Sequence, residues 1–232
     1  MSDAGWPSSA GGATSPFVPI AFVARWVLLT LARNPAVLTL SALLVLTPIL
    51  QHSAHVGALE WPVEHLRPWL IPASWIGSAL GMGLLGRHRW VLGHLGTARL
   101  WLSEWVALGA ASLLLQLPIL MGGFLSGASP VDMARLLPAI LSTALHSGAL
   151  ALVLLSTSAR ADLRLGLLLL AAWLGPAFAA GCAKLQVFLA PLAPGLVLGR
   201  DSSTALLPAL ASAGALAAFA LWLRSEARAF PG

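Results

Sequence analysis

Apolar runs separated by short polar gaps carry the chain from Ala36 to Leu223. They fall at residues 36–51, 70–85, 102–124, 134–158, 163–185 and 203–223. A helix needs about 20 predominantly apolar residues to cross a hydrocarbon core of about 30 Å. The pattern therefore predicts an all-α polytopic membrane protein with six transmembrane helices. The first two runs hold only about 16 residues each and reach about 24 Å, so they must borrow flanking residues or sit in thinned bilayer. Hydrophobic residues make up 58% of the 232-residue chain and charged residues 9%, with a mean hydropathy of +0.86. No water-facing surface for a soluble domain of this size can be built from that. Residues 1–17, rich in Gly, Ser and Ala, read as a disordered cytosolic tail without the charged and apolar regions of a signal peptide. Residues 18–34 read as an interfacial elbow helix, and 35–232 as the six-helix transmembrane domain.

Charge fixes an orientation for those helices. Of the thirteen Lys and Arg residues, Arg25, Arg33, Arg87, Arg89, Arg99, Arg160, Arg164, Arg224 and Arg228 fall on one side of the predicted bundle. Arg67, Arg135, Lys184 and Arg200 fall on the other. Basic residues concentrate on the cytosolic side of membrane proteins, so both termini are expected in the cytosol of a bacterial inner-membrane protein. The net charge of +5 comes from this dispersed asymmetry and gives no nucleic-acid footprint. Cys182 is the single cysteine. It can form neither an internal disulfide nor a thiolate metal site by itself.

Two segments flank the early spans in ways that bear on function. The first is apolar but carries Arg25 and Arg33, about 80° apart around a helix, and it ends at Asn34-Pro35. Proline disfavours helical geometry in the residue before it and starts a new helix well. The chain is therefore expected to turn here from a helix lying in the interface, with Trp26 at headgroup depth, to one that crosses. The alternative is a single long kinked span with a basic foot. The second segment, residues 86–105, reads GRHRWVLGHLGTARLWLSEW. Its alternation of Trp, Val and Leu with Arg87, His88, Arg89, His94 and Arg99 suits a short amphipathic surface helix broken by Gly93 and Gly96. A basic loop with tryptophan anchors would also fit.

A basic elbow ending in Arg33-Asn34-Pro35, a cytosolic amphipathic segment after the second span, six spans, and the tract LAPLAPGLVLGR at residues 189–200 together resemble the type-2 ABC transporter permease family. The resemblance implies that the elbow is a connecting helix marked by Arg25, Trp26, Arg33 and Pro35. It implies that the segment after span two is a coupling helix that meets a separate ATPase. Here that contact falls on Arg87, His88, Arg89, His94 and Arg99. The family usually has a carboxylate in the coupling stretch; this chain has none between His88 and Leu95, and Glu104 is the candidate to supply one. The implied assembly is an ATPase subunit and a second copy of this chain or a related permease, moving hydrophobic or amphipathic cargo outward. No cofactor is implied.

Polar groups inside the spans are the remaining candidates. His146 lies mid-span among Leu, Ala, Ser and Gly, as either a functional group or a neutral imidazole served by Ser142 or Thr143. Gln116, just before Pro118, is expected at a kink. Gly77 and Gly81 have the spacing of a close helix crossing, either internal or between copies. In the first outer loop, His52, His55 and His65 with Glu60 and Glu64 could outline a metal site, although an ordinary polar loop explains them more simply. No nucleophile and base, no HExxH and no paired intramembrane aspartates point to an enzyme, and no nucleotide-binding loop gives the chain an ATPase of its own. The alternatives to a permease are an ATPase-independent secondary transporter, which normally shows intramembrane carboxylates, and a membrane-embedded assembly or scaffold subunit.

Overall fold

The computed structural model of the chain describes residues 17–54, 66–92, 97–157, 163–164, 166–167 and 202–229. Among them the elements are α1 (Phe17–Ala32), α2 (Pro35–Ala54), α3 (Arg67–Leu92), α4 (Thr97–Leu125), α5 (Pro130–Arg135), α6 (Leu137–Ser156) and α7 (Ser202–Ala229), with no strand. Four stretches are long and apolar enough to cross a membrane: Pro35–Ser53, Trp69–His88, Ala98–Leu125 and Pro130–Ser156. α7 contributes a shorter apolar stretch, Ala213–Ser225. The run expected at residues 163–185 lies almost wholly outside the described residues.

Local chemistry sets the helix ends. Asn34 caps α2, its Oδ1 accepting a hydrogen bond from the Ala36 amide at 2.9 Å with Pro35 in the first helical position, the arrangement that satisfies an otherwise orphaned N–H. α4 stops at Gly127, whose φ of +94° lets the Ala128 amide reach back to the Gly123 carbonyl at 3.1 Å in a Schellman closure. Ser129 then caps α5, its Oγ accepting from the Asp132 amide.

Several expected boundaries are corrected. The two runs that looked short belong to helices of 20 and 26 residues, because flanking residues continue the helical path. The span expected at residues 134–158 is one membrane-length stretch, Pro130–Ser156, that begins four residues earlier and is interrupted by a turn at Leu136 between α5 and α6, where Pro138 near the start of α6 lacks an amide to donate. The separate surface helix expected within residues 86–105 is not what the described residues form. α3 instead runs on through Leu92 and α4 begins at Thr97; the apolar Trp90, Val91 and Leu92 prolong the helix, and Gly93 and Gly96 lie outside the described residues.

α4 lies at the centre, packed by α1, α2, α3 and α6, and α6 is held between α4, α3 and α7. The membrane-length window of α6 is 78% buried against 17% for α2, so α6 is the interior helix and α2 the peripheral one. α1 buries the stripe Val23, Val27 and Leu31, four residues apart on one face, and packs chiefly along α4. Gly77 of α3 faces α4 so closely that a side chain there would run into the Ala111 carbonyl oxygen. The Gly77–Gly81 spacing therefore serves packing inside the chain.

Candidate functional site

The two ends of the bundle differ in charge. At one end Leu66, Gly123 and Met133 meet, which brings the start of α3, the end of α4 and α5 together with Arg67 and Arg135. Val45 and Pro48 of α2 lie against Gly122 near the same end. At the other, Trp26 of α1 meets the His88 ring edge-on at 5.1 Å, near the end of α3 and the start of α4. Exposed Arg25, Arg87 and Arg99 belong to this second, basic end.

Helix length makes the basic end project. α2, at 20 residues, reaches about 30 Å, whereas α3 and α4, at 26 and 29 residues, reach about 39 and 44 Å. Gly122 of α4 lies against Val45 and Pro48 of α2, and Gly77 of α3 against Ala111 of α4, which leaves more helical residues of α3 and α4 than of α2 toward the basic end. α1 packs beside this projection.

At its base sits a buried ion pair. Arg224 of α7 donates through Nη2 to Glu104 Oε2 of α4 and through Nε to Ser156 Oγ of α6 at 2.8 Å. Both charged side chains are inaccessible, at 5% and 0% exposure. Two indoles reinforce the joint: Trp101 Nε1 donates to the Ala217 carbonyl of α7 at 2.8 Å, and Trp105 Nε1 to the Leu145 carbonyl of α6 at 3.4 Å. Three helices that come from distant parts of the chain are fastened here. Buried charges are tolerated only when paired and hydrogen-bonded in this way.

Farther along, α3, α4 and α6 share a layer of hydroxyls. Ser74 and Ser147 hydrogen-bond at 2.8 Å, Ser78 and Ser112 at 2.6 Å, Ser112 and Ser147 at 2.9 Å, and Ser78 donates to Ser147 at 3.0 Å. Ser112 also reaches the Ser74 carbonyl at 2.8 Å and Ser147 the Ala144 carbonyl at 3.3 Å. Each hydroxyl owns one proton, so these contacts outnumber the donors and must alternate. Next to them Gln116 Nε2 donates to Thr143 Oγ1 at 2.9 Å. Gln116 Oε1 is buried with no hydrogen-bond partner among the described residues.

The residues singled out from the sequence are only partly brought together. Arg87 and Arg99 are exposed on the projection, and His88 is half-buried, its ring nitrogen Nδ1 donating to the Leu84 carbonyl at 3.0 Å. Arg89 lies on α3 without a described side chain, and His94 lies outside the described residues. Glu104, expected to offer a carboxylate to a partner, is instead buried against Arg224, and it is corrected here to an internal joint. Arg25 and Arg33 are exposed and Trp26 is half-buried. His146 is buried at 1% exposure. The hydroxyl protons of Ser142 and Thr143 go to the Ala139 and Ile140 carbonyls. Gln116 meets Thr143 inside an α4 that continues through Pro118. Among the described residues no three His, Cys, Asp or Glu side chains converge as metal ligands; His52 ends α2, and His55 and His65 lie outside the described residues.

Two features escaped the sequence reading, though both leave a signal. Ser74 and Ser78, Ser112 and Gln116, and Thr143 and Ser147 each stand four residues apart, a polar stripe on one face of three apolar helices. Glu104 and Arg224 are opposite charges at the same end of two spans. Comparison with family models, with curated proteins and with solved structures finds no match. The reading of function therefore rests on this geometry and on the resemblance in sequence.

Proposed function

We propose that the chain is the membrane-spanning permease subunit of an ABC-type exporter in a bacterial inner membrane. It has six spans, both termini in the cytosol and α1 as its connecting element, and a separate ATPase drives it to move hydrophobic or amphipathic cargo. The observation that carries this reading is the joint projection of α3 and α4 at the basic end with Arg87 and Arg99 exposed. A groove on a cytosolic partner that pairs with these arginines and Arg89 would act on two rigid helices at once. The resemblance implies a dimer, and in this chain α3, α4 and α6 fill their shared interior, with Gly148 lying against Gly109. A cargo path would then run along a face between two copies. ATP hydrolysis belongs to the partner and this chain does no chemistry of its own.

The secondary-transporter reading has less support, since Glu104, the carboxylate buried within the described spans, is paired with Arg224. A scaffold role would not call for an exposed basic projection. The test is to co-express the chain with its genomic neighbours and measure co-purification and cargo-stimulated ATP hydrolysis. Reversing Arg87, Arg89 and Arg99 to Glu should weaken the complex by about 2 to 5 kcal/mol, the usual loss when one side of a close charge pair is removed. If no ATPase co-purifies, or the triple variant assembles and works like the parent, the permease reading falls.

A further inference from the structure

The α1–α2 junction encloses a recess of about 570 Å³ lined by Trp26, Leu29, Thr30, Arg33, Asn34 and Pro35. Its helical lining follows the spacing i, i+3, i+4 and i+7, a single stripe on α1. That stripe is separate from Val23, Val27 and Leu31, which face the bundle, so the recess opens outward. α2 is itself of membrane length from Pro35, which sets the recess at the edge of the hydrocarbon, where headgroups begin.

The polar groups of the recess are donors that face no anion among the described residues. Asn34 Oδ1 is occupied by the Ala36 amide, and the Thr30 hydroxyl donates to the Trp26 carbonyl at 2.8 Å. The Asn34 amide nitrogen and the Arg33 guanidinium remain. Arg33 has no carboxylate partner among the described residues. Asp132 is taken by Arg135 at the opposite end of the bundle, and Glu104 by Arg224. Beside these donors lie the apolar Leu29, Pro35 and the body of Trp26.

We propose that this recess binds a membrane phospholipid, its phosphate held by Arg33 and the Asn34 amide and its upper acyl chain lying on Trp26, Leu29 and Pro35. A phosphate is the anion that a bilayer supplies at this depth, and a guanidinium matches it with two parallel donors. The apolar side of the recess distinguishes a lipid from free phosphate.

The test is native mass spectrometry of the full chain, released from detergent after incubation with dioleoylphosphatidylglycerol, dioleoylglycerol or inorganic phosphate. The parent should retain one phosphatidylglycerol and discriminate against dioleoylglycerol, which has the tails without the phosphate. Arg33→Gln should lower that occupancy about tenfold, the scale of one charge-assisted hydrogen bond. Arg33→Lys should retain part of it, and Arg25→Gln, on the same helix but outside the recess, should match the parent. Equal retention of dioleoylglycerol by the parent overturns the proposal without reference to any variant. So does undiminished lipid binding in Arg33→Gln, equal capture of inorganic phosphate, or a dimer that excludes lipid from the parent.

Discussion

Arg224 enters the interior from α7 and finds Glu104 and Ser156 already on two other helices. Its value to the fold is best tested by taking the partners away one at a time. Arg224→Met alone, or Glu104→Leu alone, leaves a buried charge without its counter-ion and should cost about 3 to 5 kcal/mol. The double variant removes both charges and should recover most of that loss, since apolar side chains of similar volume replace a buried pair at little cost. Thermal unfolding of the three purified variants in detergent checks this, and a double variant no more stable than the singles would rule out the pair as the source. The hydroxyl layer is worth less per bond, about 0.6 kcal/mol on average for hydrogen bonds between membrane helices, so its strength lies in number and in the register it imposes.

Between elements, backbone proximity decides which helices touch. Gly77→Val would drive a side chain into the Ala111 carbonyl and should cost about 1 to 3 kcal/mol as overpacking. Gly83→Val on the same helix, where nothing lies within 4 Å, should leave the melting temperature close to that of the parent. Equal loss at both positions would mean that helix propensity, not the α3–α4 crossing, sets the effect. Long apolar runs made most helices legible in the sequence, because span length is dictated by the bilayer. The break at Asn34-Pro35 was legible too, because proline chemistry is local. The path of residues 86–105 was not. Its alternating Arg and Trp residues fit a surface helix as well as two projecting helix ends, and only the length of α3 and α4 relative to α2 separates these. The Glu104–Arg224 joint left a signal in its two opposite charges but not the pairing itself: residues 120 positions apart meet only once the order of helices in space is known.

For the molecule as a whole, the ends sort by charge, with Arg67 and Arg135 opposite Arg25, Arg87 and Arg99. If the basic end faces the cytosol, a membrane-impermeant maleimide applied from outside should modify Val131→Cys. It should spare Ala98→Cys until the membrane is permeabilised. Both positions are exposed, and Cys182→Ser removes the native thiol. The reverse labelling pattern would invert the orientation and take the cytosolic ATPase with it.

The distance in sequence between Glu104 and Arg224 also has a meaning in time. The carboxylate is synthesised 120 residues before its counter-ion, and at about 5 to 20 residues per second that is a wait of about 6 to 24 s on the ribosome. Throughout that interval α4 carries an acid whose counter-ion has yet to be made, at the rim of its apolar stretch. That joint between α4 and α6 stays open until α7 arrives with Arg224. Closure of this joint therefore waits on the synthesis of α7, however early α4 and α6 have met.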